Sequence, residues 1–161
     1  MVINFSPPIE IYSPDINTQL VVSEIILLVG FFTCGIKGRG EPIETQTGIA
    51  FSILNRVARP AWWGNDVMSV IFKKWQFSSL TDPNDKQLTT WPASTDKSWI
   101  QCLQVACDAL DGVSVNPVPG ADSYYDISIP PPKWATDDCF VAQIGKIRFF
   151  DLNHDIEHPR P

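Results

Sequence analysis

Histidine is nearly missing from this chain: the 161 residues contain two, His154 and His158, both close to the C-terminus. Cysteine is also sparse, with Cys34, Cys102, Cys107 and Cys139 forming no CxxC pair. Two histidines and these spacings make no zinc-ligand pattern, and no metal or other cofactor is implied. A polar tail holding both histidines also leaves no Ser-His-Asp or Cys-His arrangement, which removes most of the support for amidase or peptidase chemistry. Cys102 and Cys107 lie five apart on an expected helix and point in different directions, so buried reduced thiols are expected rather than a mutual disulfide. Positive charge is short as well: 12 Lys and Arg stand against 18 Asp and Glu, for a net charge of −6. A surface with that balance lacks the cations that neutralise phosphates, so nucleic acid is not an expected partner. The apolar stretch Leu20–Phe32 is interrupted by Glu24 and has no basic residue before it. It is shorter than the ~20 residues needed to span a bilayer, and it reads as a buried helix rather than a membrane span or cleaved leader. Export, if it occurs, then needs another route. The chain shows no internal repeat and no low-complexity region.

What the chain does have is aromatic mass: six Trp and nine Phe in a length suited to one domain with a real core. Residues 1–13, followed by Pro14 and containing Pro7 and Pro8, read as an extended arm on the surface or on a partner. Residues 14–153 form the expected domain and residues 154–161 a polar tail. A first helix is expected over about residues 16–36, capped by Ser13 or Asp15, with Leu20, Val21, Ile25, Leu28, Phe31 and Phe32 at helical spacing. Gly35, Gly38 and Gly40 break it. A second helix starts at Pro42, with Glu44 in the first turn where the dipole favours negative charge. Ile49, Ile53, Leu54 and Val57 give that helix a buried face, and Pro60 ends it.

Residues 60–95 read as mostly loop, with one short helix near Asp66–Phe72, and so long a loop inside a domain points to function. A third helix covers about Asp96–Leu110 and stops at Gly112. Two strand-like runs, Ser123–Ile127 and Lys146–Leu152, flank Pro130-Pro131-Pro132 and can pair antiparallel. The expected class is α+β: a mainly helical, lysozyme-like domain with a small antiparallel sheet near the C-terminus. In such a domain a helix end and a small β element flank a sugar-binding cleft. Compatibility of pattern does not by itself settle function.

Cleaving a glycosidic bond requires a proton donor beside the bridging oxygen, and a carboxylic acid in a desolvated site serves. Most glycosidases add a second carboxylate, whereas lytic transglycosylases use the substrate's own groups. An acidic residue at a helix end is therefore where such chemistry would sit. The stretch Ile36-Lys37-Gly38-Arg39-Gly40-Glu41-Pro42 is followed by Gln46, Ala50 and Asn55-Arg56-Val57. Trp62-Trp63-Gly64, Val70-Ile71, Trp75-Gln76-Phe77-Ser78 and Asp82-Pro83-Asn84 come next. Ala121-Asp122-Ser123-Tyr124-Tyr125, Pro132-Lys133-Trp134, Ile144-Gly145 and Phe149-Phe150 close the series. These blocks, in this order, resemble the SleB-type cell-wall hydrolases, phage members included, over about residues 20–151.

The resemblance implies an enzyme of bacterial peptidoglycan, a lytic transglycosylase or muramidase cutting between N-acetylmuramic acid and N-acetylglucosamine. The phage members imply synthesis in a host cytoplasm and action at the cell wall, as a lysis protein or a virion component. The family's signature reads Gly-Glu-Ala-Arg-Gly-Glu-Pro, so its usual acid falls on Lys37. A lysine, with an ordinary pKa near ~10.4, is a poor acid at neutral pH. Three readings of Lys37 stand open: a disarmed version of an active hydrolase, a natural pseudo-enzyme keeping the cleft for binding, or transfer of the acid role to Glu41. Glu41 is equally suited to capping or orienting the loop, or to pairing with Lys37. Glu44 reads as a solvated first-turn acid. Gln76 and Ser78 are suited to bonding sugar hydroxyls or acetamides, with loop capping as their ordinary alternative. Trp75, Tyr125 and Trp134 offer the flat faces on which pyranose rings stack, while Trp62, Trp63 and Trp91 are core or rim. The rival class is a non-catalytic virion or baseplate component that binds cell wall through the cleft, or partner virion proteins through residues 1–13.

Overall fold

The computed structural model describes residues 41–73 and 93–153. The expected arm, the helix over residues 16–36, Lys37, Trp75, Gln76, Ser78, Trp91 and the tail lie outside the described residues.

The central element is α1, Ile43–Ala58, whose apolar positions are buried on more than one side. Ile49, Ala50 and Ile53 are at most 1% exposed. So are the polar Thr45 and Gln46, each at 0%, which marks a helix enclosed by its neighbours rather than lying on a surface. Pro42 is the cap residue just outside α1, one position earlier than the first turn, and its carbonyl accepts the Gln46 amide at 3.2 Å. Glu44 sits exposed in the first turn, as the dipole favours. A short helix, α2 (Val67–Ile71), begins with a reciprocal cap: Asp66 Oδ1 accepts the Ser69 amide at 2.8 Å, and Ser69 Oγ accepts the Asp66 amide at 3.2 Å. The helix α3, Lys97–Leu110, is capped by Asp96, whose carboxylate accepts the amides of Ser98 and Trp99. Gly112 just beyond has φ +71° and ends it.

On one side of α1, Ala50 and Ile53 meet Val67, Val70 and Ile71 of α2, Val105, Ala106 and Ala109 of α3, and Trp63. On the other lies a three-stranded antiparallel sheet in the order β1-β3-β2, with β1 Ser123–Asp126, β2 Phe140–Ile144 and β3 Ile147–Phe150. Tyr125 pairs with Arg148 and Asp126 with Ile147, the pairing expected for the two strand-like runs. The strand β2 was not expected from the sequence. It is entered through a 3-10 turn at Asp137–Cys139, carries an irregularity between Phe140 and Ala142, and alternates too weakly to stand out from loop. The β2–β3 turn is two residues long, and Gly145 takes φ +57° in its first position, as a tight hairpin requires.

Helix and sheet meet at a glycine. A Cβ on Gly48 would lie 2.8 Å from Phe149 Cζ, so only glycine lets the ring sit flat on α1. Phe149 is fully buried with Ile49, Val118, Ala121 and Ile147. The far face of the sheet is covered by the 127–139 loop, where Phe150 and Tyr125 pack with Cys139. Cys102 and Cys107 are both buried on α3 and are not joined to each other.

Candidate active site

Two elements that line the site are held by the Asn55-Arg56 end of α1. Asn55 Nδ2 donates to the carbonyls of Val118 and Ala121 at 2.9 and 2.8 Å, and its Oδ1 accepts Asn116 at 2.9 Å. Arg56 Nε donates to the Asp122 carbonyl at 2.7 Å, and its guanidinium lies 5.6 Å from the Trp63 ring. Burial depresses the Arg56 pKa, while Asp122 and then Tyr124 act in the opposite direction. The Asn-Arg pair therefore ties the segment leading into β1 to the helix, a structural duty for a motif the sequence offered without a role. Asp122, 1% exposed, accepts the Leu152 amide and Asn153 Nδ2, anchoring the segment after β3 to the same point.

Thus fixed, β1, α1 and the 127–134 loop enclose a groove of about 260 Å³ lined by Ile49, Tyr124, Tyr125, Asp126, Ile129, Pro132, Trp134 and Ile147. Tyr125 and Trp134, both singled out from the sequence, are brought together edge to face with centroids 6.1 Å apart. Phe150 supports both, 5.8 Å from Tyr125 and 5.6 Å from Trp134. Trp134 is 38% exposed, leaving part of its ring open to solvent, whereas Tyr125 is 6% exposed. Arg148 Nη1 donates to the Tyr125 hydroxyl at 3.4 Å and its guanidinium lies 4.6 Å from the Phe140 ring. Beside them Tyr124 is neutral across the ordinary pH range: burial pushes its hydroxyl up to about 12, with Arg56 pulling the other way. The lining is apolar except for tyrosine hydroxyls and Asp126, whose carboxylate accepts the Ser128 amide at 2.7 Å.

Glu41 is not part of the groove lining; its carboxylate lies over the tip of the β2–β3 hairpin. A Cβ on Gly145 would lie 2.9 Å from Glu41 Oε2 and 2.9 Å from Thr45 Oγ1, so both oxygens cover the same glycine at the tip of the β2–β3 hairpin. Thr45 is one helical turn before Ile49, and Gly145 two residues before Ile147, both groove residues. Gln46 Nε2 donates to the Glu41 carbonyl at 3.2 Å, and Gln46 Oε1 accepts Gln101 of α3 at 3.1 Å. The Glu41 backbone is therefore braced against two helices. No side chain caps α1, so the capping duty weighed for Glu41 is not performed. Among the described residues no hydrogen bond or ion pair to the Glu41 carboxylate occurs.

Lys37, Trp75, Gln76 and Ser78 lie outside the described residues. The sequence reading missed Ile49, Tyr124, Asp126, Ile129, Pro132 and Ile147 as lining. Of these, Tyr124 and Pro132 were signalled by the blocks that contain them; the others carry no local mark. Among the described residues no three His, Cys, Asp or Glu side chains converge as a metal site would, and no helix is long and apolar enough to cross a membrane.

A helix pair and a small antiparallel sheet flanking an aromatic groove make an α+β domain of the SleB type. The chain belongs to the Cell Wall Hydrolase family, which matches residues 40–150. It is similar to the catalytic domain of the germination-specific lytic transglycosylase SleB from Bacillus anthracis, at 26% identity and a TM-score of 0.62. That match covers 88% of this chain and 98% of the other. It is likewise similar to the catalytic domain of the SleB protein from Bacillus cereus, at 28% identity and a TM-score of 0.62, over 80% of this chain and 90% of that one. Among curated proteins none matches.

Proposed function

We propose that this chain cleaves the glycan strands of bacterial peptidoglycan between N-acetylmuramic acid and N-acetylglucosamine, as a lytic transglycosylase or muramidase, with Glu41 as the proton donor. The observation that carries the reading is an aromatic groove in a cell-wall hydrolase domain, with the Glu41 carboxylate over Gly145, two residues from the groove residue Ile147. Protonated Glu41 gives its proton to the bridging oxygen as the C1–O bond breaks, and the leaving sugar departs as an alcohol. The muramic C6 hydroxyl then closes on C1 to give an anhydro end, or water attacks to give a reducing end, and in either case the attacking hydroxyl returns its proton to the Glu41 carboxylate. Trp134, the more open ring, stacks the sugar and is braced by Tyr125, whose edge borders the groove, with Trp75, Gln76 and Ser78 completing the glycan contacts. Asp126 is the carboxylate of the groove lining.

The domain of residues 14–153 acts at the cell wall after synthesis in a phage host, as a lysis or virion protein, with residues 1–13 as an arm available to a virion partner. Lys37 favours a second reading, a non-catalytic component that keeps the groove for wall docking. Release of muropeptides from purified peptidoglycan by the chain, by Lys37→Glu and by Glu41→Gln decides between them. Cutting by the chain that Glu41→Gln abolishes supports Glu41 as the acid. Cutting only after Lys37→Glu assigns the acid to position 37. Inactivity of all three, with retained pull-down on peptidoglycan, supports the docking reading.

A further inference from the structure

The helix α1 carries three hydroxyl side chains, Thr45, Thr47 and Ser52. Two are used locally: Thr47 Oγ1 donates to the Ile43 carbonyl at 2.8 Å and Ser52 Oγ to the Ile49 carbonyl at 2.6 Å. That back-bonding is the ordinary solution for a hydroxyl inside a helix. Thr45 departs from it. It is 0% exposed, and its Oγ1 is a buried oxygen with no hydrogen-bond partner among the described residues. The carbonyls one turn back each accept from Gln46, the Glu41 oxygen from Nε2 and the Pro42 oxygen from the amide, and neither takes the Thr45 hydroxyl. A buried hydroxyl left unmade is destabilising, and one kept in a native core calls for a reason. A polar atom on the same side of the hairpin tip is Glu41 Oε2: it and Thr45 Oγ1 each lie 2.9 Å from the point where a Gly145 Cβ would stand, and they are not hydrogen-bonded to each other.

We propose that Thr45 is a positioning residue for Glu41. A rotation of the Thr45 side chain would let its hydroxyl donate to Oε2, which accepts best as the carbonyl oxygen of the protonated acid. The proton to be transferred is then favoured on Oε1. Gly145 keeps the space in which the two side chains meet, because a methyl there would collide with both oxygens. This inference rests on the reading of Glu41 as the acid.

The test uses the full chain as wild type, Thr45→Val, Thr45→Ser, Glu41→Gln and Lys37→Glu, with purified peptidoglycan as substrate and melting temperature as the check on folding. Thr45→Val keeps the shape and removes the hydroxyl. It is expected to lower kcat about tenfold or more, the scale of an impaired proton transfer, with KM and melting temperature held or the latter raised. Thr45→Ser is expected to recover most of kcat, which a merely structural role for the threonine methyl would not give. A readout independent of turnover is the Thr45 hydroxyl proton by NMR, expected to exchange slowly and to show a cross-peak to the Glu41 γ-methylene. Absence of that cross-peak, or a Thr45→Ser enzyme as slow as Thr45→Val, overturns the inference. If Glu41→Gln is inactive but Thr45→Val turns over like the wild type, this inference alone fails. Full activity of Glu41→Gln, or activity that appears only with Lys37→Glu, removes the acid reading and the Thr45 role together.

Discussion

Replacing Gly48 by alanine sets two physical effects against each other on one atom. In the interior of an exposed helix the change stabilises by about 1 kcal/mol, because glycine has more freedom to lose. Here the new Cβ would lie 2.8 Å from Phe149 Cζ and 3.2 and 3.3 Å from the flanking ring carbons. Carbon–carbon contacts are comfortable at about 3.5–4.0 Å, so ring and helix must part by roughly 1 Å. The ring has nowhere to go: Phe149 is 0% exposed, enclosed by Ile49, Val118, Ala121 and Ile147, and 5.8 Å from Tyr124. Overpacking of this kind costs about 1–3 kcal/mol. The clash outweighs the propensity gain, and Gly48→Ala is expected to destabilise by about 1 kcal/mol, lowering Tm by about 2–4 °C. Thermal unfolding followed by circular dichroism measures it. Gly48→Ala combined with Phe149→Leu should lose less than the sum of the two single changes, because the smaller side chain makes room. A Tm that rises in Gly48→Ala, or strict additivity in the double variant, would refute the close helix–sheet approach on which the groove depends.

Tyr124 makes the fold sensitive to alkali. Its hydroxyl is raised by burial from 10.0 to about 12, so the folded chain holds that proton more tightly than the unfolded chain. Stability from this group is complete below pH 10 and lost as pH climbs toward 12, by about 2–3 kcal/mol in all, and urea midpoints of Tyr124→Phe should lack that decline. An equal decline in Tyr124→Phe would remove Tyr124 as the cause. Trp134→Ala deletes a ring that packs on Tyr125 and Phe150 while staying 38% exposed. It is expected to weaken glycan binding by calorimetry about tenfold, the scale of one lost aromatic contact, and unchanged affinity would count against the stacking platform. Asp96→Ala removes the acceptor of two α3 amides and should cost about 1 kcal/mol in urea unfolding, whereas Asp96→Asn should retain most of it.

Much of the fold was legible along the chain because its signals are local. Asp66 and Asp96 precede α2 and α3 as caps do, Gly112 follows α3, and the two aromatic runs that pair as β1 and β3 carry strand residues in both. Tyr125 and Trp134 were marked as sugar-stacking candidates by residue type and by the blocks they stand in, and the sheet places them against each other. The strand β2 was invisible because an irregular edge strand alternates weakly, its pairing with β3 being interrupted between Phe140 and Ala142.

By itself, the sequence determined where α1, α2 and α3 start and stop to within a residue or so, the α+β class, the family resemblance and the departure at Lys37, since each depends on residue type and short-range spacing. Only the tertiary structure decided what stands beside what. Gly145 and Glu41, far apart along the chain, share one small space with Thr45, and the same hydroxyl type that bonds its own helix at Thr47 is left unmatched at Thr45. Such a juxtaposition is set by the register of a hairpin against a helix end, a relation that emerges when the core closes and that no local pattern encodes.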